Sequence, residues 1–160
     1  MRRAVLTVAG VGYLRPASGT WASALAVAVG LGLHGVGGFP LLAAGFVLAT
    51  GLGFWACAGL GMGEDPSEVV IDEVAGQWLT LCFPSFAFWN MGLDHFPYPG
   101  WVAAFVFFRL FDVWKPWVIG WADRRGDPAG VMLDDLLAGV AAGIAVILAA
   151  GLAHGVMAWM

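Results

Sequence analysis

The sequence predicts an all-α fold, a compact integral membrane bundle of about five apolar helices. Of the 160 residues, 61% are hydrophobic and only 11% are charged, whereas a typical soluble domain carries about 25% charged residues. The 24 glycines suit membrane helices, which pack closely through small residues because lipid supplies no hydrophobic force between them. We therefore interpret residues 1–160 as a single membrane-embedded domain.

Five apolar runs predict the membrane-spanning helices, since about 20 helical residues cross the hydrocarbon core. The runs cover residues 20–37, 40–60, 69–89, 100–117 and 132–159. Pro84 is predicted to kink or end the third run, because proline removes a helical hydrogen bond. Glycine-rich breaks and two polar loops separate the runs.

The charged residues predict how these runs are oriented. If all five runs cross, the seven Lys and Arg residues fall on one side, which the positive-inside rule identifies as the cytoplasm. The acidic residues, Asp65 among them, fall on that side too, and only Asp94 lies opposite. In the alternative arrangement the first or third run only dips into the interface, which would divide the charges between the two sides. No basic stripe with interleaved aromatic residues indicates nucleic acid as a partner.

The stretch EVVIDEVAGQWLTLC places acidic residues at the start of the third run. Asp72, Gly76 and Thr80 share one helix face at i, i+4, i+8 spacing, and Glu73 follows Asp72 directly. Ionisable residues at the ends of apolar helices are costly to desolvate, and they mark functional sites when they face the bundle interior. The alternative is that these acids and Glu68 only interact favourably with the helix dipole.

The stretch FFRLFDVWKPW ends the fourth run, with Arg109, Asp112 and Lys115 at every third position. Pro116 is predicted to break the helix beside them. Proline also disfavours helical geometry at Lys115, which would aim the ammonium group out of the helix toward a ligand. The alternative is an Arg–Asp pair within the helix and a lysine whose charged end reaches toward water.

The stretch VMLDDLLAGVAAG repeats the pattern of the third run. Asp135, Gly139 and Gly143 recur at i, i+4, i+8 spacing, so an acid again begins a smooth helix face. Two helices that approach through such faces would bring their carboxylates together, with Asp134 beside them. An oxygen-rich pocket of this kind suits Mg²⁺, whereas the three scattered histidines lack the spacing of a zinc site.

A fourth stretch, GYLRPASGTWAS, precedes the first run. Ser18 or Thr20 can cap the helix, and the free N–H groups of this end, with Arg15 nearby, would suit a phosphate. An ordinary cap is the alternative. Carboxylates for a metal and basic groups for a phosphate together predict phosphoryl chemistry on a lipid head group. The residues alone leave hydrolase, transferase and transporter open.

In this order and spacing, the four stretches resemble the phosphatidylglycerophosphatase A family from about Gly10 to Gly143. The resemblance implies a Mg²⁺-dependent phosphatase that removes the terminal phosphate of phosphatidylglycerophosphate and yields phosphatidylglycerol. It also implies a multi-pass protein of the bacterial inner membrane, which with the charge pattern predicts an active site at the cytoplasmic ends of the helices. A homo-oligomer is left open.

The pattern and the resemblance together assign roles to individual residues. The expected metal ligands are Asp72, Glu73, Asp134 and Asp135. The expected phosphate-binding residues are Arg109, Lys115, Arg15 and Thr20. The expected catalytic residues are Asp72, Glu73, Asp112, Arg109 and Lys115. In this scheme, Asp112 either orients Arg109 or completes the metal site.

Other functions stay open as alternatives. One is another membrane lipid phosphotransferase or phosphatase, and a second is a non-catalytic membrane subunit. A transferase of the CDP-alcohol type would need a denser aspartate array along two helices, and metal-independent lipid phosphatases use two catalytic histidines. Water could attack the phosphate directly, or an aspartyl-phosphate could form first.

Overall fold

The chain forms helices only, in the residues that the computed structural model describes, which are 1–64 and 66–158, with side chains described to residue 153. Asp65 and Trp159, which entered the predictions above, lie outside this description. A 3₁₀ turn, Val11–Tyr13, follows the first helix. The α-helices are α1 (Arg2–Leu6), α2 (Ser18–Cys57), α3 (Ile71–Asn90), α4 (Gly100–Trp114), α5 (Val118–Asp123) and α6 (Pro128–Ala158).

Helix α2 consists of two helical segments that meet at Gly37 and Gly38. Gly38 has a φ of 63°, and neither glycine has helical backbone angles. A Cβ atom on Gly45 would lie 3.1 Å from Leu33 Cδ1, although a straight helix would separate these two residues by about 18 Å. The segments 18–36 and 39–57 therefore fold back side by side. This confirms the predicted break between the first two apolar runs.

The helical fold is confirmed, but fewer helices than expected qualify as membrane spans. Among the described residues, α2 and α6 are long and apolar enough to cross a membrane, judged by length and composition, where the sequence predicted five spans. Helix α4 has 15 residues, which is short of the roughly 20 that a crossing needs. Helix α3 has 20 residues, but buried Gln77, Thr80 and Ser85 make it more polar than a typical span.

The two prolines at which helices were predicted to break have different effects. Helix α4 stops at Trp114 rather than at Trp117, because Lys115 adopts a left-handed conformation with φ 48° and ψ 53° immediately before proline. The predicted helix break at this proline is confirmed. Pro84 does not end α3, which continues to Asn90. Helix α5 lies in a segment where the sequence predicted only a loop.

Helix α3 lies at the centre of the bundle, where it packs against α2, α4 and α6. On the α2 side, Trp78 Nε1 donates a hydrogen bond to the carbonyl oxygen of Ala26 at 2.7 Å. On the α6 side, the two helices pack through Gly76 and Gly139. A Cβ atom on Gly139 would lie 2.5 Å from the carbonyl oxygen of Gly76. Thr80 Oγ1 donates to the Gly139 carbonyl oxygen at 3.2 Å. The predicted approach of two helices through glycine faces is therefore confirmed.

Candidate active site

The close approach of α3 and α6 brings three carboxylates together at one end of the bundle. One carboxylate oxygen from each of Asp72, Glu73 and Asp135 lies within 4.8 Å of the others. Asp72 is 8% exposed and Asp135 is 3% exposed. Because the acids stand one helical turn before Gly76 and Gly139, the glycine contact sets the distance between them. The predicted convergence of carboxylates is confirmed for these three residues.

The electrostatics of this acidic cluster, Asp72, Glu73 and Asp135, favour a bound cation. The carboxyl group of Asp112 belongs to the same cavity and adds a fourth acid. Glu73 Oε2 is buried without a hydrogen-bond partner among the described residues. Buried carboxylates repel one another and lose hydration, so they need a positive partner. An all-oxygen donor set of this kind fits a hard divalent cation.

Lys115 supplies the positive charge on the opposite side of the site. Its Nζ atom donates to Asp134 Oδ2 at 2.7 Å and makes a second hydrogen bond to Asp123. Burial alone would lower the pKa of Lys115, but the hydrogen bonds to the two carboxylates outweigh it and raise that pKa above its usual value. The ammonium group therefore stays charged. Asp134 pairs with this lysine and lies outside the group of three carboxylates that could share a cation.

Arg109 is paired with an acid and is not part of the cavity lining. Its Nη1 atom is paired with Asp112 one helical turn further on, as the alternative interpretation of this stretch predicted. Because Gly19 has no side chain, Glu73 and Arg109 can both approach its backbone. A Cβ atom there would lie 2.2 Å from Glu73 Oε1 and 3.2 Å from Arg109 Nη1. A side chain at the start of α2 would therefore displace both Glu73 and Arg109.

A cavity of about 300 Å³ opens between these groups. Six of its lining residues are ionisable, namely Asp72, Glu73, Asp112, Lys115, Asp134 and Asp135. The remaining lining residues are Ser18, Pro66, Ser67, Val69 and Val131. All four expected metal ligands and the expected lysine thus line one cavity. Arg109, Arg15 and Thr20 are not part of this lining.

The start of α2 differs from the expected cap. The N-cap residue is Ala17, and no side chain in the described part of the chain caps this helix end, so the predicted cap by Ser18 or Thr20 is wrong. Ser18 instead donates its hydroxyl to the carbonyl oxygen of Ser67 at 2.7 Å, which ties α2 to the loop before α3. Glu68 lies in that loop, 4.0 Å from Arg3, and is not part of the acidic cluster.

Sequence reasoning missed Asp123 and Gln77. Asp123 is the second hydrogen-bond partner of Lys115, a contact that depends on the turn between α4 and α5. Gln77 is fully buried, and both amide atoms lack a partner among the described residues. Its position one turn after Glu73, inside an apolar run, is the sequence signal that could have drawn attention to it.

Removing the polar group of Gln77 and removing that of the neighbouring Thr80 are expected to have different effects on the free energy of unfolding. Gln77→Met should leave the free energy of unfolding unchanged or raise it by about 1 kcal/mol, because the amide is desolvated without forming a bond. Thr80→Val should lower it by about 0.5–1.5 kcal/mol, since the hydroxyl bonds the carbonyl oxygens of Gly76 and Gly139. Thermal unfolding of the purified protein in detergent measures both. Equal losses in the two variants would show that the Gln77 amide is bonded.

Comparison with known proteins matches one family model and three relatives with phosphatase names. A family model described as Phosphatidylglycerophosphatase A matches residues 4–150. A Bacteroides thetaiotaomicron protein named "Putative phosphatidylinositol-3-phosphatase" is 37% identical over 147 residues, which covers 88% of this chain and 87% of the relative. A Haemophilus influenzae protein named phosphatidylglycerophosphatase A is 33% identical over 143 residues, with 86% and 81% covered. An Escherichia coli protein of the same name is 42% identical over 79 residues, with 48% and 40% covered. No solved structure matches.

Proposed function

Because this chain belongs to the phosphatidylglycerophosphatase A family, we propose that it hydrolyses the terminal phosphate monoester of phosphatidylglycerophosphate to phosphatidylglycerol and inorganic phosphate. The observation that carries this proposal is the cavity in which a cluster of buried carboxylates faces Lys115. Water supplies the oxygen that replaces the glycerol oxygen on phosphorus, and the released glycerol oxygen takes up a proton. The substrate belongs to the phospholipid class, consistent with two helices apolar enough to enter a membrane.

Mg²⁺ is the cofactor that the donor set supports best. Asp72, Glu73 and Asp135 would hold it, since these acids share a site that one ion could reach and offer only oxygen ligands. Glu73 Oε2, buried and unpartnered in the described structure, is a free donor for it. When bound, the ion would supply positive charge to the phosphate oxygens. Asp134, which accepts a hydrogen bond from Lys115, would contribute to the site through water.

The basic residues have separate roles in this proposal. Lys115 would donate to a phosphate oxygen, because its ammonium group lines the cavity and carries three donors, two of which bond carboxylates. Arg109 would act indirectly, because it pairs with Asp112, which lines the cavity. Arg15 and Thr20, which are not in the cavity lining, would contact the phosphate only if the substrate extends beyond it toward the start of α2.

The proposed location of the protein rests on its apolar helices and its charge distribution. Helices α2 and α6 indicate membrane association. The finer proposal is a multi-pass protein of the bacterial inner membrane with its active site toward the cytoplasm, since the basic residues flank the helix ends that carry the acids.

The function is tested by phosphate release from phosphatidylglycerophosphate in detergent micelles. We expect release with Mg²⁺, none after EDTA, and recovery when excess Mg²⁺ is returned, because the carboxylates cannot hold the phosphate without a cation. Phosphatidic acid and phosphatidylinositol 3-phosphate serve as competing substrates. Faster release from either competitor would reassign the substrate. No release from any of the three would support the alternative of a non-catalytic subunit.

A further inference from the structure

Two carboxylates bind the ammonium group of Lys115, and only one of them belongs to the cavity. Asp134 lines the cavity and its side chain is 9% exposed. Asp123 is not part of the lining, and its side chain is 39% exposed. A substrate in the cavity would therefore meet the bond from Lys115 to Asp134 but not the bond from Lys115 to Asp123.

The position of helix α5 brings Asp123 within hydrogen-bond distance of Lys115. After Lys115 the chain turns sharply, with Trp117 also at a φ of 48°, and α5 follows immediately. A Cβ atom on Gly120 would lie 2.6 Å from the carbonyl oxygen of Lys115, so α5 packs directly on the lysine's own backbone. The residue that ends α5, Asp123, then bonds the lysine's Nζ. The turn and α5 thus contact Lys115 at both its backbone and its ammonium group.

The bond to Asp134 is the one that a substrate would displace. Asp134 and Lys115 both line the cavity, so a phosphate bound there would repel the Asp134 carboxylate and compete with it for the ammonium group. The bond to Asp123 can persist when phosphate binds, because Asp123 lies outside the cavity lining.

From this geometry we propose that Asp123 is a positioning residue, which holds the Lys115 ammonium group at the cavity when Asp134 releases it. The proposal deepens the phosphatase function proposed above and rests on it. Asp123 does not touch the substrate in this arrangement. Without it, the flexible lysine side chain would lose a charge-assisted hydrogen bond that fixes its direction.

The test compares Asp123→Asn with Asp123→Glu and with Asp127→Asn. Asp127 is a matched control, because it is a half-exposed aspartate of the same polar segment that pairs with Arg125 rather than with the lysine. For Asp123→Asn we expect kcat/KM to fall about 10–100-fold, the range found when a metal ligand loses its orienting partner. Asp123→Glu should recover most of that loss, and Asp127→Asn should stay near wild type. Competitive inhibition by inorganic phosphate should weaken in parallel for Asp123→Asn.

A thermal unfolding measurement separates positioning from support of the fold. If Asp123→Asn matches wild type in both kcat/KM and phosphate inhibition, the proposal is overturned. It is also overturned if Asp123→Asn and Asp123→Glu are equally inactive and both unfold at much lower temperature. If wild type instead prefers another lipid phosphate and Asp123→Asn still weakens phosphate inhibition, the substrate assignment fails while the role of Asp123 stands.

Discussion

Replacing Asp135 with asparagine is expected to lower turnover of phosphatidylglycerophosphate by more than about 100-fold, the upper end of the loss seen for mere orienting partners of metal ligands. Asp135 is nearly fully buried, shares the site of Asp72 and Glu73, and begins the helix face that packs on α3. Asparagine keeps the size of the side chain but removes the charge that a cation needs. Phosphate release and Mg²⁺ titration of the purified variant measure the two effects.

The same substitution should not unfold the protein, and this separates a functional acid from a structural one. Removing one of several mutually repelling buried carboxylates relieves repulsion in the metal-free state, so the unfolding temperature without Mg²⁺ should hold or rise. Stabilisation by added Mg²⁺ should be lost, because a ligand stabilises only the state that binds it. Asp94→Asn is the matched control, since Asp94 is exposed and not part of the cavity lining. Activity of Asp135→Asn within about threefold of wild type would refute the assignment.

The parts of the site that the sequence predicted are those set by helical periodicity. Asp72 with Gly76, and Asp135 with Gly139, stand one turn apart, so any close packing of the two glycine faces brings the acids together. The structure shows this packing. The break after Trp114 was also predictable, because proline excludes helical geometry at the preceding Lys115. These inferences need only local geometry and one helix contact.

The parts that the sequence did not predict depend on contacts across turns. Asp123 reaches Lys115 only because the chain reverses over left-handed residues and a short helix. Arg109 forms an ion pair with Asp112 on its own helix, although the sequence spacing alone would also have allowed Arg109 to face the cavity. Among the described residues, fewer helices than the five predicted qualify as spans by length and composition. Helix α4 ends early at the residue before proline, and α3 carries buried polar side chains within its apolar run.

The glycine contact that assembles the site gives the second large expected effect. Gly139→Ala should lower the free energy of unfolding by about 1–3 kcal/mol, the usual cost of overpacking. The added methyl group would lie 2.5 Å from the carbonyl oxygen of Gly76, where the obstacle is helix backbone that cannot rotate away. Helices α3 and α6 must separate, which moves Asp135 relative to Asp72. A displacement of about 1 Å can cost about 100-fold in rate, so phosphate release should fall far more than stability alone explains.

Two other glycines of α6 show whether the effect comes from this contact. Gly151→Ala is the control for helix propensity, because a Cβ atom there meets nothing within 4 Å, and alanine should be neutral or stabilise by up to about 1 kcal/mol. Gly143→Ala would meet the Phe83 side chain at 2.3 Å, two turns from the acids, where a ring can shift more readily than backbone. It should therefore cost stability but much less activity than Gly139→Ala. If Gly139→Ala and Gly143→Ala each lose activity only in proportion to their loss of stability, the spacing of α3 and α6 does not set the geometry of the carboxylates. The local structure at the end of each helix would then position the acids.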